Sequence, residues 1–492
     1  MTSQQDLLLY NALDAACTLE CHNAFWKDLQ QDGFEKTYRL TVDLFPAIIY
    51  MQTRGIRVDK DALETTKTEI LSAAAERQEE LNRLCGRPLN VNSPRDCAKY
   101  FYVELGLPPF YNDKGEVTVD DMALQRLAKG TKRRPGLRQA KLVQEIRSLR
   151  KLYGTYLNIE FDPDGRMRCA YNPRGTRFGR LSSSRTIFGT GTNTQNLPPE
   201  FKRFLVADEG KVLWEVDKRQ AEWVVVAYLT GDSNMIKVVE SGLDAHLYTA
   251  SLMFNAPMEL LAEEAKLIGN STDPEYIRTQ REEHPRLAEI ASRLPRTMSA
   301  RQCGKRSNHG LNYDEGYVKF AMINEMDQTE AKRIWSLYHT TYPGLRLWYE
   351  SVKRQLQKDR TLTNCFGRKV RFLDAWGPDL WKSAYAMLPQ STVVDSLNIG
   401  MAKIYADSWL TKDNDLEILA QVHDSLLLQI PRSVYESPRF KEVKDRVFEY
   451  VSPTIEYNSR QFKIATDMKV GLNWGIWHPE RNPEGMREVK GD

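Results

Sequence analysis

The sequence predicts a mostly helical α+β fold. Over most of the chain, apolar residues recur at three- and four-residue spacing, the period of a helix buried on one side. KVLWEVD (211–217) departs from that pattern and reads as a strand. LEILAQVHDSLLLQI (416–430) is two apolar runs around a polar pair, a hairpin with His423 and Asp424 at its tip. With 492 residues, 41% of them hydrophobic, the chain can bury sizeable cores in two to four domains. That composition excludes wholesale disorder.

The elements follow in order. Residues 5–30 read as a helix, and 36–54 as a second, amphipathic one that stops at Gly55. IRVDKDALE then opens a third, with Asp59 as N-cap. Pro88, Pro94, Pro108 and Pro109 break residues 86–120 into short elements and turns. Residues 129–151 hold Lys129, Lys132, Arg133, Arg134, Arg138, Lys141, Arg147, Arg150 and Lys151 against one acid, Glu145. A solvated helix face accounts for most charge runs. The local, one-sided imbalance here makes polyanion binding the competing reading, with backbone phosphates the commonest target. Residues 171–198, rich in Gly, Ser, Thr and Arg, are too polar for core. They form either a mobile loop or a surface lying along a polar ligand. RQAEWVVVAYLTGD, after the first strand, reads as a buried helix ending at Gly231.

Charge and cysteines narrow the function classes. Lys plus Arg is 69 and Asp plus Glu is 66, so the net charge of +3 does not point to a partner. The seven cysteines include no CxxC pair, and Cys17, Cys21 and His22 have no second ligand pair downstream. This argues against a zinc site and for a reducing compartment. The N-terminus lacks a basic region and long apolar run, and no stretch approaches the roughly 18 apolar residues of a membrane span. The expectation is a cytoplasmic protein with no membrane association.

Chemistry enters with two aspartates and one helix. Singly, Asp217 could cap the next helix and Asp424 could favour a tight turn. At the ends of neighbouring strands they could instead converge and hold two divalent metals about 3.5–4 Å apart, an arrangement suited to in-line phosphoryl transfer. In RQCGKRSNHGLNY (301–313), Arg301, Lys305, His309 and Tyr313 fall at every fourth position and form one slowly winding stripe. Arg301 and Lys305 could grip successive phosphates, and Lys305 could donate a proton to a leaving pyrophosphate. Gly310 would let a flat base pair approach the backbone. Each glycine costs a helix about 1 kcal/mol relative to alanine, so both call for a reason.

These segments resemble a family A DNA polymerase of the bacterial polymerase I or phage replicase type. EVDKRQAEWVVVAYLTGD resembles motif A, RQCGKRSNHGLNYDEG motif B and QVHDSLLLQI motif C. FGRLSSS followed by QNLP, and GIRVD, LNVNS, FGRKV and QSTVVD, fall in family order. The resemblance implies a right-hand architecture with an antiparallel-sheet palm and helical fingers and thumb. The palm would span 171–232 and 396–492, the fingers 233–395, and the lead-in and thumb 33–170 with a basic tip at 129–151. It implies two Mg2+ ions, or Mn2+ in their place, on Asp217, Asp424 and the Lys218 backbone carbonyl. Arg301, Lys305 and His246 would contact the triphosphate, with Gln220 nearby. Glu222 would be the steric gate against a ribose 2′-OH, and Tyr313 would stack near the templating base. Arg180, Asn196, Gln390 and His423 would touch the minor groove and primer end, and Lys132, Arg133 and Arg134 the duplex backbone. The partners implied are primer–template DNA and dNTPs, with a processivity factor as a further candidate.

Departures from the family pattern matter as well. His309 stands where Phe or Tyr is usual, Asp314 where Gly is common, and Ser425 where DNA polymerases usually have Glu. Lys382 and Ala386 replace frequent template-contact residues. Residues 262–298, rich in charge, read as an insertion in the fingers that could face a partner protein. YNALD (10–14) resembles the last 3′–5′ exonuclease motif, so residues 1–32 read as the remnant of such a domain, with Tyr10 and Asp14 its surviving residues. A lone metal carboxylate cannot run two-metal hydrolysis. The expectation is therefore no proofreading by this chain alone, and a separate exonuclease chain that pairs with the N-terminal region. Two rivals remain. Ser425 favours a single-subunit RNA polymerase, which Glu222 opposes. A catalytically silent DNA-binding accessory protein is opposed by Asp217, Asp424 and Lys305 together.

Overall fold

The computed structural model describes residues 4–112, 114–130 and 134–489. The chain opens with α1 (Gln4–Gln31), in which no residue is buried. Two helices, α2 (Glu35–Val42) and α3 (Phe45–Arg54), replace the single one expected over 36–54. The cause is Pro46, which sits in the first turn of α3, where a missing N–H is harmless. In a continuous helix it would remove the bond to the Val42 carbonyl and clash with it. The Asp59 carboxylate caps α4 (Lys60–Cys85) as expected, accepting from the Ala62 amide at 3.0 Å.

Residues 86–120 hold turns, a short helix (Pro94–Ala98, continued by a wider turn over Lys99–Glu104) and a two-stranded ladder, Phe110–Tyr111 with Val117–Thr118. Then α5 (Asp121–Lys129) and α6 (Arg138–Lys151) pack with α4 into a helical arm. The arm has its own core, including Leu81, Phe101, Leu124, Leu142 and Ile146. Part of the basic run serves this arm and not a ligand. Arg147 turns inward and donates to the Val91 and Val119 carbonyls at 2.7 and 2.8 Å. Arg138 pairs with Glu80 and Glu145, and Arg150 donates to Gln78. The local charge count missed acids that α4 brings alongside. Arg134, Lys141 and Lys151 are exposed; Lys132 and Arg133 lie outside the described residues.

The polar 171–198 segment is more ordered than a loop, and in part it is core. Ala170–Asn172 pairs with Ser182–Ser184, and Tyr171, Leu181 and Thr194 are buried. Its polar groups satisfy one another: Ser183 donates to Asn193 at 2.6 Å, and the Tyr171 hydroxyl donates to the Gln421 carbonyl at 3.3 Å.

The central sheet starts with β1 (Lys211–Lys218). A long, mainly helical excursion follows, leaving β1 through α7 (Ala221–Thr230), which Gly231 ends in the left-handed region. Next come α8 (Ala245–Phe254), α9 (Met258–Ile268), α10 (Pro274–Glu282) and α11 (Ala300–Leu311). Then α12 (Tyr317–Ile323), α13 (Gln328–Thr341), α14 (Gly344–Asp359) and α15 (Pro378–Ala406) complete it. The expected hairpin follows as β2 (Glu417–Val422) and β3 (Ser425–Pro431). After α16 (Arg439–Val451) come β4 (Thr466–Gly471) and β5 (Arg487–Glu488). The sheet order is β2-β3-β1-β4-β5, and every pairing is antiparallel.

Alternation along the strands fixes the two faces. Trp214, Val216, Leu426 and Leu428 pack with Leu397 and Met401 of α15 and Val443 and Val447 of α16. Leu213, Leu419 and Leu427 pack on the other face with Phe201, Phe204 and Trp474. The excursion has a separate core centred on α7, α8, α11, α13 and α14.

Residues 262–298 are not a loose addition. Arg281, 3% exposed, donates to the carboxylate of Glu264, 0% exposed. Arg281 also donates to the Pro295 and Met298 carbonyls, while Glu264 accepts from the Ala300 amide at the start of α11. This ion pair ties the segment to that helix. No described helix is long and apolar enough to cross a membrane.

Candidate active site

Strand pairing brings the two aspartates together. Asp217, one residue from the end of β1, pairs directly with Ser425 of β3, and Asp424 immediately precedes Ser425 in the hairpin turn. The Lys218 amide donates to the Asp424 carbonyl at 3.3 Å, closing the turn onto β1. His423 adopts φ +55°, which the tight reversal requires. Neither simpler role accounts for Asp217: Gln220, not Asp217, is the N-cap residue of α7. Ser425 turns its hydroxyl back onto the Val422 carbonyl at 3.1 Å, so it fastens the hairpin.

Electrostatics at this point are strongly unfavourable for bare carboxylates. Burial, then the neighbouring Asp424, pushes the Asp217 carboxyl up to about 7. Asp424 is raised too, chiefly by burial. Two converging hard oxygen donors with raised affinity for a positive charge suit Mg2+ or Mn2+, which bind through one or two carboxylates plus substrate phosphates. The buried Lys218 ammonium feels the Asp424 charge, but its hydrogen bond goes elsewhere. It donates to the Val451 carbonyl, and burial lowers it to about 7.

Across the pocket, α11 carries Arg301, Lys305 and His309. The expected four-residue stripe is shorter than the spacing implied, because the helix ends at Leu311 and Tyr313 lies in the turn beyond it. From there the Tyr313 hydroxyl donates to Glu222 at 2.6 Å. Both glycines have internal reasons. A Cβ on Gly304 would lie 2.1 Å from the His246 carbonyl oxygen, so the glycine lets α11 seat against α8. A Cβ on Gly310 would lie 2.2 Å from Glu315 Oε2, so its space is taken by a side chain of this protein. In this structure the Glu315 side chain packs over Gly310, the position that the sequence reading left open for a flat base pair.

A pocket of about 290 Å3 joins these parts. It is lined by Asp217, Lys218, Gln220, Glu222, His246, Arg301, Lys305, His309, Tyr313 and Asp424. Six residues the sequence reading did not single out, Arg219, Ala221, Trp223, Asn308, Asn312 and Asp467, also line it. Asp467 of β4 pairs directly with Asp217 of β1, and two like charges there would repel. Arg219 relieves this by clasping the Asp467 carboxylate, at 2.9 Å from Nε. No local signal marks Asp467, because only pairing with a distant strand brings it here.

The other side chains are held in distinct ways. Arg301 pairs with Asp244 at 2.8 Å. Burial alone would raise the Asp244 carboxyl, but the Leu247 amide and Arg301 outweigh it and hold it low. No ion pair holds Lys305 among the described residues, and it is exposed at the pocket. His246 is buried, shares a 3.0 Å hydrogen bond with Asn308, and is lowered to about 3 by burial. At neutral pH it offers a neutral imidazole and not a cation. Gln220 accepts from the Ala245 amide at 2.7 Å and so fastens α7 to α8. Glu222 is the hub: it accepts from Arg180 at 2.7 Å and from Tyr313, and His309 Nδ1 stands 3.9 Å away.

Arg180 thus reaches the edge of the pocket. His423 is exposed beside Asp424. Asn196 is exposed in a short 3-10 turn, and Gln390 is half-buried on α15; neither lines the pocket. Arg134 precedes α6 of the arm and does not line the pocket. Tyr10 and Asp14 are exposed on α1.

Comparisons with known proteins agree with this arrangement. The profile of DNA polymerase family A matches residues 60–269 and 274–476. Thermostable DNA polymerase I of Thermus aquaticus is 26% identical over 451 residues, covering 88% of this chain and 47% of that protein. DNA polymerase I of Pseudomonas aeruginosa is 24% identical over 492 residues, covering 95% and 47%. The chain spans about half the length of the curated relatives it matches. The POL domain of Pol1 from M. smegmatis, in complex with DNA primer-template and dNTP, matches with a TM-score of 0.70 at 22% identity. That match covers 88% of this chain and 70% of that one, and the shared architecture is the right-hand polymerase fold. A sheet that joins two aspartates opposite a basic helix, matched along most of its length by one family profile, leads to a plain conclusion: the chain belongs to DNA polymerase family A.

Proposed function

We propose that this chain extends a DNA primer along a template, adding dNTPs with release of pyrophosphate, in phage-type or bacterial replication in the cytoplasm. The observation that carries the reading is the pairing of β1 with β3, which sets Asp217 beside Asp424 in the pocket that α11 lines with Arg301 and Lys305. In this reading the sheet segments 171–232 and 396–492 are the palm and 233–395 the fingers. Residues 33–170 are the lead-in and thumb.

Asp217, Asp424 and the Lys218 carbonyl would hold divalent metal. When bound, the metal supplies charge neutralisation on the triphosphate and lowers the pKa of the attacking hydroxyl. Lys305 and Arg301 grip the phosphates, Arg301 by exchanging its Asp244 partner for phosphate oxygens. Lys305 gives a proton to the departing pyrophosphate. Glu222, fixed by Arg180 and Tyr313, occupies the space of a ribose 2′-OH. That fixed carboxylate supports the DNA polymerase over the RNA polymerase reading, and Ser425 has a local role, fastening the hairpin, that does not depend on which sugar the substrate carries.

In the same proposal, residues 1–30 are the docking element for a separate 3′–5′ exonuclease chain. The support is α1, which exposes Leu7, Leu8, Leu9, Tyr10, Leu13, Leu19 and Phe25 and buries nothing. So many large apolar side chains exposed on one helix suit a surface that another chain covers.

The test is extension of a primed template by purified protein with Mg2+, beside Asp424→Ala, with dNTPs or rNTPs and with a matched or mismatched primer end. We expect dNTP extension by wild type alone and no removal of the mismatch. Extension undiminished in Asp424→Ala, or preference for rNTPs, would overturn the reading.

A further inference from the structure

Arg219 lines the pocket of the two aspartates, in the turn between β1 and α7 and two residues after Asp217. Its backbone is anchored, since its amide donates to the Ala465 carbonyl at 2.8 Å. Its side chain is held at the surface. Nε donates to the two Asp467 carboxylate oxygens at 2.9 and 3.1 Å, and Nη2 donates to one of them. The side chains of this pair are 54% and 39% exposed. Arg301 stands in a similar situation, a guanidinium at the pocket paired with an acid, Asp244, at 2.8 Å. The two arginines share a field, because Arg219 feels the charge of Asp244 after those of Asp467 and Glu488.

We propose that Arg219 is a further phosphate ligand: on nucleotide binding it leaves Asp467 and grips the triphosphate together with Arg301 and Lys305. This rests on the polymerase reading and deepens it by adding a residue to the nucleotide site. Three observations support it. The clasp opens readily, because ion pairs this exposed are weak and salt-sensitive. A guanidinium on phosphate makes shorter, charge-assisted and often bidentate bonds. The pocket also needs cations. Asp217, Glu222, Asp424 and Asp467 line it, and a triphosphate entering beside four carboxylates is repelled unless positive groups turn toward it. Lys218 is committed to the Val451 carbonyl, which leaves Arg219, Arg301 and Lys305 among the lining residues. Finally, Asp467 can spare its partner. Water reaches its carboxylate, and Lys469, two residues on and so on the same face of β4, remains as a positive neighbour of Asp217.

The experiment titrates dNTP into single-turnover extension of a primed template. It also titrates dNTP into the complex with a dideoxy-terminated primer, where a gel shift reads binding without chemistry. Arg219→Ala should weaken dNTP affinity about tenfold in both assays, and inhibition by inorganic pyrophosphate in step, while the maximal rate falls about threefold or less. Asp467→Asn releases the arginine and should tighten dNTP about twofold or more. A clasp that only braces the sheet predicts the reverse for that variant, since either substitution breaks the same pair. The double variant carries the net charge of wild type but lacks the guanidinium, so it should stay about fivefold or more weaker than wild type. Three results would each overturn the proposal: unchanged affinity in Arg219→Ala, an Asp467→Asn protein that fails to bind dNTP more tightly, or a double variant that returns to wild-type affinity. If wild type neither extends the primer nor binds dNTP on it, the polymerase reading itself fails.

Discussion

Replacing Gly304 with alanine is the sharpest test of how α11, the helix proposed to grip the nucleotide, is seated. By helix propensity alone the change stabilises α11 by about 1 kcal/mol. The packing says the opposite. The new Cβ would stand 2.1 Å from the His246 carbonyl oxygen and 3.2 Å from the backbone and Cβ of Ala250. A carbon–oxygen contact settles near 3.3 Å, so α8 and α11 must part by about 1 Å, and the obstacle is backbone that cannot rotate away. Overpacking of this kind costs about 1–3 kcal/mol, leaving a net loss of roughly 0–2 kcal/mol after the propensity gain. Function should suffer more than stability. The same displacement moves Arg301 and Lys305 relative to Asp217 and Asp424, and a misplacement of about 1 Å can cost on the order of 100-fold in rate. Single-turnover primer extension and urea melts of Gly304→Ala and Gly310→Ala measure both effects. At Gly310 the obstacle is the flexible end of Glu315, so that variant should stay within a few-fold of wild type. A Gly304→Ala enzyme with unchanged rate and raised stability would refute the seating argument.

Other perturbations follow from the same interactions. Arg281→Met strands the buried Glu264 carboxylate and should cost about 3–5 kcal/mol in urea melts, with Glu264→Leu added to it recovering much of the loss. Burial would raise Asp208 and Glu417, but Arg54 outweighs it, helped by Gln429 and Arg166 at the first and Lys211 and Gln429 at the second, holding both carboxyls down at about 2. Their folded values lie below the unfolded ones near 4, so the stabilisation is complete above that pH and lost as pH falls toward 2. Glu417→Gln should therefore melt earlier than wild type at pH 7 and indistinguishably near pH 2. Glu222→Ala removes the shared acceptor of Arg180 and Tyr313; steady-state incorporation assays should show rNTP use rising at least tenfold relative to dNTP.

What was legible from the sequence was what depends on near neighbours. The His423–Asp424 turn, the strand ending near Asp217, the Asp59 cap and the Gly231 stop are all set within a few residues of chain. Pro46 was equally local, and its placement in a first turn, not an interior, could have been read. Other features depend on contacts between distant segments. Asp467 enters the pocket only through the pairing of β4 with β1, and Gly310 is explained only by where Glu315 folds back. Arg138 and Arg147 looked available to phosphate until α4 and the 91–119 turns arrived beside them. Periodicity cannot register such partners, because each is a tertiary event.

The N-terminal helix has a consequence for how the protein behaves alone. Its 28 residues are anchored near their C-terminal end, where Trp26 packs edge-on against Tyr38, His22 leans on both rings and Gln30 donates to Glu35. Helices in water draw most of their stability from packing, so the turns before that anchorage should exchange their amide hydrogens fast in the free protein. Slow exchange there would then signal occupancy, making the first leucines a built-in reporter for the proposed companion chain.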